Sequence, residues 1–166
     1  SVMATQVQFR RGTTSQHGSF TGAVGEVTVD TDKDTVVVHD GSQAGGFAIP
    51  NLKTAQEFTK TQNFNATTLT DASTIAWDAS SNQVAKVTLG GNRTLGAATN
   101  QVDGAVYVLT VIQDGSGSRT LSFNSNYKFT GGSAPTLTTT ASATDVIVFL
   151  SNGSNMLEIG RSLNVS

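Results

Sequence analysis

Gln6-Val-Gln-Phe-Arg-Arg-Gly-Thr13 and Gly25-Glu-Val-Thr-Val-Asp-Thr-Asp-Lys-Asp-Thr-Val-Val-Val-His-Asp-Gly41 are the stretches whose reading decides the fold. In the first, Val7 and Phe9 alternate with Gln6, Gln8 and Arg10, the pattern of a half-buried strand that Gly12 ends. In the second, Val27 and Val29 alternate with Glu26, Thr28 and Asp30, and the polar run Thr31-Asp-Lys-Asp34 turns the chain into Thr35 to His39. This predicts a β-hairpin with Val27, Val29, Val36 and Val38 facing inward. Ser15 to Phe20 is expected to form one helical turn that returns Phe20 to the core. Asp40-Gly41 and Gly45-Gly46 predict turns before Phe47, because glycine reaches positive φ without a Cβ clash.

Composition favours short strands and turns over helices. Charged residues make up 13% of the chain, Gly is abundant at 17 and Pro rare at 2, against about 25% charged residues in an ordinary domain. A formal net charge of −2 supplies no positive field for a phosphate backbone, so no nucleic-acid partner is expected. The absence of cysteine excludes disulfides, thiol catalysis and thiolate metal sites. No uninterrupted apolar segment approaches the ~18 residues of a membrane span, and no basic stretch followed by an apolar run opens the sequence. Neither membrane insertion nor a signal peptide is therefore expected. With 166 residues, two compact modules would each be marginal alone, which predicts help from self-association.

Three segments organise the chain: residues 1–50 as the hairpin module, 51–66 as a linker and 67–166 as a second β domain. In the linker Leu52, Ala55 and Phe58 recur at a spacing near three, which suits a short helix or a turn packed against neighbouring chains. The second domain offers strand candidates at 74–78, 83–89, 93–95, 104–113, 118–124, 127–129, 136–137, 145–151 and 156–160. Residues 105–113 and 146–150 are apolar on both alternate rows, so both strands should be covered on both faces. Gly90-Gly91-Asn92, Asp114-Gly-Ser-Gly117 and Ser151-Asn-Gly-Ser154 are expected to be hairpin turns. The simplest packing is an antiparallel sandwich or barrel-like domain.

Few side chains suggest chemistry. Asp30, Asp32 and Asp34 alternate like a calcium loop, but the positions that need Gly and Glu hold Thr35 and Gly41, so an acidic turn is the expectation. His39 adjoins Asp40, yet no nucleophile or second base is marked, and His17 is expected at the surface or at a subunit contact. Trp77 and Asp78 invite a sugar-binding reading, as do Tyr107, Phe123, Tyr127 and Phe129. A core or subunit-contact role is favoured for these aromatics. The acids of the second domain, Asp71, Asp78, Asp103, Asp114, Asp145 and Glu158, single out no pair for glycan hydrolysis. No catalytic residue, metal or cofactor is expected.

The Arg10-Arg-Gly-Thr13 motif and the Gly25–Gly41 stretch resemble the small N-terminal β module of bacteriophage tail-fibre, tailspike and tropism-determinant proteins. Residues 67–160, with Ile75-Ala-Trp-Asp78, Val84-Ala-Lys-Val-Thr-Leu-Gly-Gly-Asn-Arg-Thr-Leu95 and Gln113-Asp-Gly-Ser-Gly-Ser-Arg-Thr-Leu121, resemble a β domain of phage fibre proteins. The resemblance implies an all-β, homotrimeric fibre component of the virion, made in the host bacterial cytoplasm. It also implies a first module that docks to another tail or capsid protein, and Phe9, Arg10, Arg11, His17, Phe20 and Phe47 are the candidate contacts. The alternative is a receptor-binding tip whose loops 92–100 or 124–133 hold a host glycan, with Trp77, Asn92, Asn124 and Tyr127 as candidate contacts.

Overall fold

A computed structural model describes residues 6–52 and 55–165, and the chain divides into two compact units, Ser1–Thr61 and Gln62–Ser166. Both are built of β-strands. The first contains β1 (Arg11–Gly12), α1 (Thr14–Gly18), β2 (Val27–Asp30), β3 (Thr35–Val38) and β4 (Phe47–Ala48). They form one sheet in the order β1-β2-β3-β4, with β1 parallel to β2 and the other pairs antiparallel.

Local chemistry explains each element. Thr13 caps α1: its hydroxyl accepts from the Gln16 amide at 3.2 Å while Gln16 Oε1 accepts from the Thr13 amide at 2.8 Å. Asp30 Oδ1 accepts from the amides of Asp32 and Lys33 and shapes the hairpin turn, in which Asp34 takes φ 50°. The Thr14 hydroxyl donates to Asp30 Oδ2 at 2.8 Å and ties α1 to that turn.

The hairpin forms as expected, but its faces are reversed. Thr28, Asp30, Val37 and His39 are buried, whereas Val36 and Val38 are exposed and Val27 and Val29 half-buried. The cause is a hydrogen-bond chain that makes the polar row the inner one. Gly22 N–H donates to His39 Nδ1 at 3.3 Å, which leaves the His39 proton on Nε2 to donate to Thr28 Oγ1 at 2.9 Å. The Thr28 hydroxyl donates in turn to His17 Nε2 at 2.8 Å, and His17 Nδ1 donates to the Thr13 carbonyl at 3.0 Å. Every buried polar atom of the row is satisfied, so burial carries no unpaired-group cost. Residues 6–10, expected as a strand, precede β1 without regular pairing, and Val7 and Phe9 are exposed.

The second unit contains β5 (Ala66–Thr68), β6 (Thr74–Asp78), β7 (Val84–Leu89), β8 (Arg93–Thr99), β9 (Val106–Gln113), β10 (Leu121–Phe123), β11 (Tyr127–Lys128), β12 (Thr144–Ser151) and β13 (Met156–Ser162). Two sheets result, β11-β13-β12-β9-β7-β5 and β10-β8-β6. The all-β class holds, but the pairing is mixed and not antiparallel throughout. From β5 to β10 the chain visits the two sheets alternately, and the pairs β5·β7, β7·β9, β6·β8 and β8·β10 are all parallel. Only β12 pairs antiparallel, with β9 and β13.

Gly90-Gly91-Asn92 and Asp114–Gly117 are therefore arches between facing sheets, not hairpins. Ser151–Ser154 is a hairpin as expected, with Asn152 N–H donating to the Asn155 carbonyl at 3.1 Å. Residues 136–137 lie outside any strand, although Leu137 is buried. In the linker, Lys53 and Thr54 fall outside the described residues, and Ala55 and Phe58 belong to no helix.

Side chains join one arch to the next. Arg93 Nε and Nη2 donate to the two oxygens of Asp71 at 2.7 and 2.8 Å, while within the arch between β9 and β10 Arg119 Nη2 donates to Asp114 Oδ2 at 2.8 Å. Asn92 Oδ1 accepts from the Thr120 amide at 3.0 Å. The Arg93 hydrogen bonds hold the Asp71 carboxyl below its ordinary value, and those of Arg119 do the same for Asp114. Between the sheets lies one apolar core with Trp77 at its centre, 1% exposed, amid the rings of Tyr107, Tyr127 and Phe149 at 6.1–6.3 Å.

Two outcomes follow. Gly22→Ala places a Cβ 2.5 Å from His39 Cγ, and such overpacking should cost the first unit about 1–3 kcal/mol in thermal or denaturant melts. Because the Asp71 and Asp114 carboxyls titrate below 3.8 in the folded state, their stabilisation is complete above that pH and is lost as pH falls through the folded values. Melting temperature should therefore fall below about pH 4, and Asp71→Asn should flatten part of that slope.

Candidate functional site

Four of the six candidate docking residues come together. Arg10, Arg11, His17 and Phe20 line a cleft of about 240 Å³, with Gly12, Gln16 and Thr28 completing its wall. β1 forms one side and α1 the other. The Arg10 guanidinium lies 4.9 Å from the Phe20 ring centroid and pairs with Glu26 at 2.8 Å. Phe20 meets His39 edge-on at 5.2 Å, which fixes the aromatic wall. Arg11 Nη1 donates to Gln8 Oε1 at 3.2 Å, and among the described residues no carboxylate pairs with it.

The remaining assignments separate. His17 is buried rather than superficial: it forms the floor of the cleft, because its two ring nitrogens are taken by Thr13 and Thr28. Phe9, 59% exposed, lies before β1, and Phe47, 55% exposed, lies on β4 at the far edge of the sheet. The register pairs Val38 with both Val27 and Phe47, and Val29 with Val36, so these five share the outward face of the sheet. Its apolar character escaped sequence reading because valine alternation does not say which side is inside.

The candidate glycan contacts do not form a site. Trp77 and Tyr127 are buried and offer no ring face to a sugar. Trp77 Nε1 donates to the Asn82 carbonyl at 2.8 Å, and the Tyr127 hydroxyl donates to the Gly96 carbonyl at 2.8 Å. Burial pushes the Tyr127 phenol well above its ordinary value. Asn92 and Asn124 are exposed, but one precedes β8 and the other follows β10, and each side-chain oxygen accepts from a backbone amide, of Thr120 and Asn126 respectively.

Acidic groups are likewise engaged in structure. Asp32 Oδ2 accepts from the Thr14 amide, and Asp40 accepts from Ser42 and Gln43, not from His39. Hydrogen bonds from Gln43 and Ser42 hold the Asp40 carboxyl below its ordinary value. Asp78 binds Ser80 and Asn100, Asp145 binds Thr138 and the Asn164 amide, and Glu158 pairs with Arg161 at 2.7 Å. Among the described residues no group of three His, Asp or Glu side chains could hold a metal ion.

A second surface lies on the six-stranded sheet. β9 and β12 bury Tyr107, Leu109, Val111, Ile147 and Phe149 on one row. On the other row Val106 is 43% exposed and Val108, Val146, Val148 and Leu150 are half-buried, so the expected double cover is incomplete within the chain. Val108 pairs with Val148 and Val106 with Leu150, which makes the outward row continuous across the strands.

Two family models match the chain. The family described as the major tropism determinant N-terminal domain matches residues 7–43, and the family described as a putative phage tail fibre C-terminal domain matches residues 54–156. The chain is 44% identical over 117 residues to the "Tail fiber receptor-binding protein" of Bordetella phage BPP-1; the match covers 64% of this chain and 30% of that protein. Among solved structures, the Major Tropism Determinant I1 variant is 69% identical over 27% of this chain and 12% of its own, with a TM-score of 0.27. The M1 variant is 26% identical over 92% of this chain and 42% of its own, with a TM-score of 0.29. The match over residues 54–156 spans more than half of the sequence, and the chain belongs to the family of putative phage tail fibre C-terminal domains.

Proposed function

We propose that the chain is a structural part of a bacteriophage virion, a short fibre or adaptor of the tail or head in which three copies pack together and the first unit docks to another virion protein. The observation that carries this reading is the reversed hairpin. A four-stranded sheet that buries Thr28, Asp30 and His39 and turns Val36, Val38 and Phe47 outward leaves its apolar row to be covered by something else. Apolar area removed from water is worth roughly 25 cal/mol per Å², so a second surface laid on that row is favoured. The outward row of β9 and β12 supports the same conclusion for the second unit. Closed rotational symmetry lets identical copies cover identical faces without leading to open-ended growth. Its role is then mechanical: a rigid scaffold synthesised in the host cytoplasm and carried on the particle, with no reaction of its own.

A second reading is receptor binding, favoured by the name of the Bordetella phage relative, of which this chain covers 30%. On that reading the exposed loops around Asn92 and Asn124, and not the buried rings of Trp77 and Tyr127, face the host surface. A glycan array with the purified protein separates the two readings. Binding to a defined glycan would make recognition the primary role.

Mass measurement at micromolar concentration should give a trimer. Val148→Asp, which places a charge on the outward row of β12, should shift it to monomer while leaving the far-UV spectrum unchanged. A wild-type protein that stays monomeric at that concentration removes the reading.

A further inference from the structure

We propose that the β1 edge of the first sheet is where this docking occurs, and that its occupant is an extended, acid-bearing segment of another virion protein added as a fifth strand. The inference rests on the docking reading above and names the chemistry of the partner. β1 and β4 are the two edges of the sheet. Pro50 follows β4 closely, and a residue without an N–H blunts an edge against further pairing. Among the described residues β1 has no such block.

Toward β2, the Arg10 carbonyl accepts from Val29 N–H and the Gly12 carbonyl accepts from Thr31 N–H, both at 2.9 Å. Backbone groups alternate along a strand, so the N–H and carbonyl of Arg11 point away from β2, toward the open edge. A strand laid there gains main-chain hydrogen bonds and presents its side chains alternately to the two faces of the sheet. One row enters the 240 Å³ cleft between Phe20 and the floor of His17 and Thr28, which fits an apolar side chain. The other row meets Arg11, whose register partner is Val29 on the outward face.

Charge selects the occupant. Arg10 is already neutralised by Glu26, while Arg11 has only the Gln8 amide as a side-chain partner among the described residues. A carboxylate at the matching position of the added strand pairs with that guanidinium, and such a charge-assisted pair fixes register as well as orientation. The predicted partner sequence therefore alternates, with an apolar residue beside an aspartate or glutamate in an extended stretch.

The absence of cysteine makes the test direct, because one introduced thiol carries a photo-crosslinker at a known position. Full-length protein labelled at Ser15→Cys, on α1 beside the cleft, or at Ser125→Cys, in the second unit, is added to particles assembled without it. Ser15→Cys should crosslink to a different virion protein. Arg11→Pro, which removes the outward N–H together with the guanidinium, should reduce that product at least tenfold without lowering the melting temperature. Arg11→Glu should do the same, and Arg11→Lys should retain most of it. Undiminished crosslinking in Arg11→Pro and Arg11→Glu overturns the strand-addition inference but leaves docking by the first unit standing. Crosslinks to the particle from Ser125→Cys alone, or from neither position, overturn the docking reading and this inference together.

Discussion

The hydroxyl of Thr28 stands between two imidazoles, and the chain of hydrogen bonds through it decides which side of the first sheet is inside. His39 donates to it, it donates to His17, and Gly22 and Thr13 close the two ends. Three polar side chains are thereby buried with their valences met, at a place where an isolated polar atom would cost about 1–3 kcal/mol. The valines opposite have nowhere to go but outward. Exposure of an apolar row is thus a consequence of how the polar row is satisfied.

The second unit meets a different constraint with similar means. Six successive strands alternate between two sheets, so each arch must bridge the ~10 Å between packed layers instead of the ~4.8 Å between paired neighbours. Paired charges and an asparagine span successive arches, Asp71 with Arg93 and Asn92 with the Thr120 amide, and give each turn a fixed position against the one before it. Inside, one aromatic cluster around Trp77 takes rings from strands distant in sequence, namely Tyr107 on β9, Tyr127 on β11 and Phe149 on β12. Arches and core thus constrain the same strands.

Much of this was legible from residue order. Most strand positions in the second unit, β5 excepted, follow the alternation of apolar and polar residues, the helical turn expected over residues 15–20 forms at Thr14–Gly18, and the burial of Trp77 follows its place beside Ile75. Two things were not legible. Gly-Gly-Asn and Asp-Gly-Ser-Gly provide the same backbone freedom whether the chain returns beside itself or crosses to a facing sheet, so arches read as hairpins and parallel strands as antiparallel ones. Alternation fixes two rows but not their sides, and only the distant partners of Thr28, namely His17 and His39, reveal that the polar row is the inner one. The grouping of Arg10, Arg11, His17 and Phe20 could be anticipated from their closeness in sequence, whereas the separation of Phe47 depends on sheet order.

Parallel coiling also bears on how proteins of this kind change size. Every circuit of the chain from β5 to β10 lays one strand on each sheet and ends facing the direction in which it began. An inserted circuit would therefore lengthen the stack by about 4.8 Å and leave the circuits on either side in their original pairing. Reach, in such a design, is a matter of counting laps, and a lineage could extend or shorten its appendage without redrawing either end.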